Sequence, residues 1–373
     1  MNLDLFKTLD SYSGMHDGHF FISSHEENIL TNYDDIRKLL ENSELKSVNV
    51  VAHCADQAIP YSDFEKRFSQ IKNDLNQYEN FKFVLIVNSP YHWNFNFKIH
   101  ENFLYIFYPE YQGIYWPIYK DESPISPRPI KKHFLSLNKR ADLYRQILYY
   151  IFCQRNWVDK SYFSYLGENY LNGNIFSSQQ FAEIDAAIKN SKYFGSLTIP
   201  DKNFLQLDND MSLDSYKEKS LISEFDSTWK PDINLFKNSF CSIVVETAAT
   251  GNVVNLSEKT FRAIVYKHPL LLFGAPKTHQ FMIESLGLDF GIYQDSIIEW
   301  DVGNINDLRF LNFINFIEKI ANLNVDDLTL LSKLLDNKTS YLRDQYRHVY
   351  NNMLTKQAVI LHNIKKFIKI LPD

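Results

Sequence analysis

Glu246 stands at the end of a buried-looking run, Phe240-Cys241-Ser242-Ile243-Val244-Val245, and is followed by Thr247, an eight-residue spacer and Leu256-Ser257-Glu258-Lys259-Thr260-Phe261-Arg262-Ala263. A short apolar strand that ends in a carboxylate delivers that group to the C-terminal edge of a sheet, where open α/β sheets bind their ligands. Ser257 reads as an N-cap, with Glu258 and Lys259 in the first turn of the helix that follows. The start of a helix offers unpaired N–H groups and a partial positive charge, which suits one phosphate or a diphosphate. A lysine there opposes the helix dipole, and a bound anion gives it a purpose. The carboxylate of Glu246 or Glu258 can accept from the two hydroxyls of a ribose. An ordinary strand-loop-helix unit with a solvated Glu-Lys pair accounts for the same residues equally well.

A second segment with chemical content is His133-Phe134-Leu135-Ser136-Leu137-Asn138-Lys139-Arg140, followed by Tyr144-Arg145. Arg145 lies seven positions after Asn138, and Arg140 is an alternative to it. A guanidinium grips phosphate with two parallel hydrogen bonds. Taken alone, this segment reads more simply as an exposed basic helix face.

The elements that must hold these groups follow from periodicity. Val48 to Ala52, Phe83 to Val87 and Leu104 to Phe107 are brief, β-branched or aromatic runs, and read as strands. Tyr61 to Tyr78 between the first two carries apolar residues at helical spacing, so the order is that of a parallel sheet with crossover helices. Three prolines in Pro124-Ile125-Ser126-Pro127-Arg128-Pro129 exclude a helix or a central strand and mark an interdomain linker. Beyond it the spacing predicts a strand over His133 to Leu137, a helix from Ala141 to Gln154 and another near Ser177 to Asn190. Asp208 to Asp214 reads as loop. A strand over Ser242 to Val245, a helix over Glu258 to Tyr266, a strand over Leu270 to Phe273 and a helix over Thr278 to Leu286 restore the alternation. Asn304 to Asn322 and Val325 to Leu371 read as helices.

Composition sets bounds on function. The chain has 373 residues, 45% hydrophobic and 23% charged, enough for two α/β domains with real cores. A net charge of −6 argues against a broad basic surface for nucleic acid. Cys54, Cys153 and Cys241 fit neither a disulfide framework nor a zinc spacing, and read as reduced core thiols. The start, Met1-Asn2-Leu3-Asp4-Leu5-Phe6, is not a signal peptide, and no apolar run is long enough to span a membrane. The expected location is the cytoplasm, with peripheral contact at the inner membrane face as an added option.

The segments around Glu246 and Asn138 resemble the donor-binding motif of the α1,3-fucosyltransferases and related families, including phage and bacterial glycosyltransferases. That motif has a strand ending in Glu-Asn, a spacer, a Thr-Glu-Lys helix start and a strand ending near glycine. This chain has Glu246-Thr247, Ser257-Glu258-Lys259 and Pro269-Leu270-Leu271-Leu272-Phe273-Gly274. Thr247 stands where the family favours Asn, and Ser257 where it favours Thr. The family also has a strand ending in Ser-Asn before a helix whose arginine meets the donor phosphates, matched by Asn138 and Arg145.

The resemblance implies a GT-B-like α/β architecture, in which two Rossmann-like domains face across a cleft and helices close the C-terminal end. The expected division is residues 1–125 for the acceptor domain, 126–345 for the nucleotide-sugar donor domain and 346–373 for a helix returning to the first. It implies transfer of a sugar from a nucleotide-sugar to a hydroxyl of a glycan or lipid-linked glycan, as in surface polysaccharide biosynthesis, without a metal or other cofactor. No Asp-x-Asp marks the metal-dependent alternative.

Asn138, Arg140, Arg145, Glu246, Thr247, Ser257, Glu258, Lys259 and His268 are then the expected donor-binding residues. His268-Pro269 also occurs in transferases of CMP-activated acidic sugars, so GDP-, UDP- and CMP-sugars all stay open. A catalytic base would come from the first domain: His16 or Asp17 in the loop bounded by Gly14 and Gly18, His53 with Asp56, or His92. Each also reads as a plain turn or strand-end residue.

The basic C-terminus, with Lys356, Lys365, Lys366 and Lys369 among Val359, Ile360, Ile364, Phe367 and Ile368, suits packing on the first domain or an anionic membrane. Two other readings compete: a transferase of the same fold acting on phage DNA bases, and a non-catalytic binding module.

Overall fold

The computed structural model describes residues 9–25, 33–41, 45–54, 73, 81–87, 103–107, 130–138, 142–165, 178–198, 233–246, 249, 254, 256–288, 300–303 and 305–368. It is a mixed α/β protein with parallel sheets and C-terminal helices. The chain divides into two compact units. Unit 1 comprises Met1–Ile114, Gly251–Val254 and His348–Asp373; unit 2 comprises Tyr115–Thr250 and Asn255–Arg347. The proline-rich segment, the Tyr61 to Tyr78 stretch and Asp208 to Asp214 lie outside the described residues, apart from residue 73.

Unit 1 carries a five-stranded sheet in the order β1 (Gly14–His16), β2 (His19–His25), β3 (Ser47–Cys54), β4 (Phe81–Val87) and β5 (Phe103–Phe107). Helix α1 (Tyr33–Leu40) lies between β2 and β3 in the chain. β1 and β2 form an antiparallel hairpin closed between His16 and His19, and the remaining neighbours are parallel. The hairpin is closed by Asp17 (φ 49°) and Gly18 (φ 85°), the Asp-Gly pair that a turn with two positive φ values demands. Gly18, one of the two glycines bounding this loop, thus has a local structural role in the turn.

The core of unit 1 joins Leu9, Phe21, Val51, Val84 and Ile86 to Met353, Ile360, Ile364 and Ile368. The last four recur on one face of helix α8 (Val325–Ile368) at helical spacing. Lys82 Nζ donates to the Phe367 carbonyl. The isoleucines of the basic C-terminal segment are therefore committed to a protein core. No described helix is long and apolar enough to cross a membrane.

Unit 2 holds a four-stranded parallel sheet. Its chain order is β6 (Lys132–Asn138), α2 (Leu143–Gln154), β7 (Ser161–Tyr165), α3 (Ser178–Asn190), α4 (Ile233–Asn238), β8 (Ser239–Val245), α5 (Glu258–Val265), β9 (Leu270–Phe273), α6 (Thr278–Leu286) and α7 (Asn306–Ala321). The spatial order is β7-β6-β8-β9. The chain runs outward from β6 to β7, then returns past β6 to β8. The β6–β8 boundary is therefore the point where the winding reverses, the place at which such sheets leave a crevice at their C-terminal edge.

All of β8 and β9 is buried, as expected for parallel strands covered on both faces. Aromatic contacts tie the helices to the sheet: Tyr144 of α2 meets Phe273 at 5.2 Å and Phe310 of α7 at 4.7 Å between ring centroids. The Tyr144 hydroxyl donates to Asp307 at 2.9 Å, and Ser191 holds the other oxygen of that carboxylate at 2.6 Å. Arg309 is fully buried and donates to the carbonyls of Trp300 and Gly274, which fixes the chain beyond β9.

Candidate functional site

The C-terminal edge of β6 and β8 gathers most of the residues expected to bind a donor. Glu246 prolongs β8, since its N–H donates to Phe273 of β9 at 2.9 Å. Its side chain is 1% exposed. Oε1 accepts from the Ser257 N–H at 2.8 Å and from the Thr260 hydroxyl at 2.6 Å. Oε2 is buried and has no hydrogen-bond partner among the described residues. Burial raises the Glu246 carboxyl above its ordinary value, opposed by these two donors and by the nearby charge of Lys259.

Ser257 has the extended backbone of an N-cap, yet its side chain makes no capping bond. Its Oγ lies close to the Glu246 carboxylate without reaching hydrogen-bond geometry, and is buried. The cap of α5 comes instead from Glu246, eleven residues upstream. No hydrogen bond among the described residues engages the N–H groups of Glu258 or Lys259. The α5 terminus therefore presents donors and a partial positive charge at the sheet edge.

Lys259 is half-buried at its surface but set deep among protein atoms. Burial, aided by the positive charge of Arg145, lowers its ammonium to about 8, while Glu258 and Glu246 oppose the change. A cation held at this cost beside another cation is poised to accept an anion.

Arg145 reaches the same place from α2. It is 1% exposed, and its Nε donates to the Val245 carbonyl at 2.8 Å, which ties α2 to the last residue of β8. Asn138 closes β6, buried, with its Nδ2 donating to Ser136 at 2.9 Å. Asp142 caps α2 by accepting from the Tyr144 N–H at 3.1 Å and the Arg145 N–H at 3.4 Å. Burial raises its carboxyl above the ordinary value, against the opposing charges of Arg145 and Lys259. Arg140 and Thr247 lie outside the described residues.

His268 belongs elsewhere. Its Nδ1 is paired with the Ser242 hydroxyl at 2.8 Å, and its Nε2 with the Ser239 carbonyl at 3.0 Å and the Ser239 hydroxyl at 3.3 Å. Ser239 opens β8, whereas Glu246 follows its end. At about 3.3 Å per residue, even Ser242 lies roughly 13 Å along the strand from Glu246. The structure does not bring His268 to the C-terminal edge, because a residue that precedes a parallel strand sits at the opposite end of the sheet.

Of the expected catalytic residues, Asp17 is an exposed hairpin-turn residue, while His16 closes β1 and His53 lies within β3, paired with His25 and Ile86. The side chains of His16 and His53, and all of Asp56 and His92, lie outside what is described. Among the described residues no group of three histidine, cysteine or acidic side chains is placed to hold a metal ion. Cys241 is fully buried, with its thiol pushed up by burial.

Two contributors were not among the expected residues. Thr260 completes the clamp on Glu246, and Asp142 caps α2 beside the two cations. An Asp immediately before an apolar helix is a capping signal in its own right. The long-range partnership of Thr260 with Glu246 has no local signature. The edge thus sets cations and the start of α5, chemistry suited to an anion, beside a buried carboxylate oxygen of Glu246. The chain matches no protein-family model, no curated protein and no solved structure.

Proposed function

We propose that this protein is a glycosyltransferase that binds a nucleotide-sugar donor at the C-terminal edge of the unit 2 sheet. The observation that carries the proposal is the meeting, where the strand order reverses, of Arg145, Lys259, the start of α5 and a Glu246 Oε2 that has no hydrogen-bond partner among the described residues. These are the complementary parts of a nucleotide: cations and N–H groups for phosphate, and a carboxylate oxygen for a ribose hydroxyl. Two α/β units in one chain are compatible with a GT-B arrangement, with the acceptor, a glycan or lipid-linked glycan, taken by unit 1. Protein cations and a helix dipole would then stabilise the leaving phosphate during transfer.

The test is a thermal-shift panel of UDP, GDP, CMP, UMP and ADP, with and without a divalent metal. A ligand that binds only the folded chain raises its melting temperature by mass action. One nucleotide stabilising the protein without metal, and losing that effect in Arg145→Lys and Lys259→Ala, is the expected result. No stabilisation by any nucleotide would refute the donor site.

A further inference from the structure

Residues 300–303 and 305–309 of unit 2 lead into α7, and buried hydrogen bonds pin them from several sides. The Trp300 indole donates to the Leu272 carbonyl at 3.1 Å, and Asp301 caps α6 by accepting from the His279 N–H at 3.1 Å. Arg309 donates to the carbonyls of Trp300 and Gly274, while Tyr144 and Ser191 hold Asp307. The same stretch displays Val302, Ile305 and Leu308, which are 62%, 55% and 40% exposed. Single exposed aliphatic residues are ordinary, but three within seven positions of a pinned segment ask for a partner. Ile305 is the N-cap of α7, a position at which Ser, Thr, Asp or Asn would satisfy a helix N–H, and its side chain caps nothing. Neither helix formation nor core packing accounts for an isoleucine there.

The surroundings are cationic and aromatic. The exposed Lys277 lies beside Val302, because its N–H donates to the Asp301 carbonyl at 2.9 Å. The exposed Lys192 and the half-buried Tyr193 follow Ser191, whose hydroxyl donates to Asp307 at 2.6 Å, next to Leu308. Lys192 Nζ lies 5.6 Å from the Tyr193 ring centroid. Of the two carboxylates on the segment, Asp301 is buried and Asp307 is taken up by Tyr144 and Ser191. Glu284, an exposed carboxylate one turn along α6, is engaged by Gln280 at 2.9 Å.

We propose that Val302, Ile305 and Leu308, with Lys192 and Lys277 at their rim, form a surface that docks unit 2 reversibly on an anionic lipid bilayer. Aliphatic side chains enter the acyl boundary, lysines meet anionic headgroups, and a tyrosine suits the level between them. An apolar protein partner would not call for the lysines. This place differs from the basic C-terminal segment, whose isoleucines are committed to the unit 1 core. The proposal does not depend on the nucleotide site.

The experiment is co-sedimentation of the full chain with vesicles of phosphatidylcholine, and of an equimolar mixture of phosphatidylcholine and phosphatidylglycerol. The wild type is expected to bind the mixed vesicles, to leave them as salt is raised, and to ignore phosphatidylcholine alone. Ile305→Ser supplies a better N-cap, so it should melt no lower than wild type, yet bind the mixed vesicles on the order of tenfold less well. Adding Leu308→Ser should deepen the loss. Lys192→Gln and Lys277→Asn should each weaken binding about fivefold. Asparagine is chosen at 277 because it tolerates the positive φ of 69° there. A wild type that stays off the mixed vesicles would overturn the proposal. Variants that bind as well as wild type would also overturn it, since the contact would then lie elsewhere. Self-association abolished by Ile305→Ser, without vesicle binding, would overturn it in favour of a protein contact. Should the serine variants fail to fold, the lysine variants decide, and unchanged binding by both would end the proposal.

Discussion

The two ends of strand β8 carry buried polar groups of similar kind and treat them in opposite ways. At the N-terminal end, both ring nitrogens of His268 are engaged by Ser239 and Ser242 within a packed environment that includes Phe236. At the C-terminal end, one buried oxygen of Glu246 and the Ser257 hydroxyl have no hydrogen-bond partner of good geometry among the described residues, and Lys259 is held as a cation against its surroundings. Buried polar groups are normally satisfied, and each exception asks for a reason. The first end is explained by folding alone. The second is the end that the proposed nucleotide would complete.

The sharpest way to break this contrast is Lys259→Met. Loss of a charge-assisted contact worth about 1.5–3 kcal/mol should weaken nucleotide binding by roughly ten- to a hundredfold. The unliganded protein should melt no lower than wild type, because the variant removes a costly buried cation. A variant that melts lower and binds as well as wild type would make Lys259 a structural residue.

His268→Ala should show the reverse pattern. Leaving Ser239 and Ser242 without their partner should cost about 1–3 kcal/mol of stability, read by denaturant unfolding. Nucleotide affinity should be unchanged. A loss of affinity with stability preserved would restore His268 to the donor site.

The acid–base behaviour of Lys259 gives a smaller, directional effect. Its folded value of about 8 lies below the ordinary 10.5, so the folded state binds fewer protons than the unfolded chain between those values. The contribution of this residue should therefore raise stability as pH climbs from about 8 to 10.5, and Lys259→Met should flatten that rise. Unfolding curves for the two proteins across this window decide it.

Glu246→Gln should have the smallest effect. The folded carboxyl lies above its ordinary 4.5, so stability from this group is complete below 4.5 and lost as pH rises through the folded value. Glutamine keeps an oxygen for Ser257 and Thr260 and removes the charge. Stability at pH 7 is expected to rise, while binding of a nucleotide with its ribose hydroxyls weakens more than binding of pyrophosphate.

Much of unit 2 was legible in the sequence. The runs behind β8 and β9 are short, mostly apolar and wholly buried, and their ends fall within a few residues of those expected. The reading was weaker where strands mix polar and apolar positions. β7, Ser-Tyr-Phe-Ser-Tyr, is an edge strand, and β2 interleaves histidine and serine with its apolar residues, so neither stands out as a core run.

Asp17-Gly18 drew notice for its glycine, yet its chemistry is that of a hairpin turn. The capping of α5 by Glu246 joins residues far apart in the chain, which local rules assign to Ser257 instead. His268 joins the expected site through the likeness of His268-Pro269 to transferases of CMP-activated acidic sugars, a local pattern that says nothing of which end of the sheet it occupies. The direction of a parallel strand separates a residue before it from one after it by the whole depth of the sheet.

Hydrogen–deuterium exchange with and without the nucleotide that best stabilises the protein tests the central claim most directly. The N–H groups of Glu258 and Lys259, which no hydrogen bond among the described residues engages, should exchange fast alone and become protected on binding, so peptides covering 247–261 should slow while those covering the 266–270 turn do not. Protection confined to the His268 end, or a nucleotide bound with no change at the start of α5, would contradict the account.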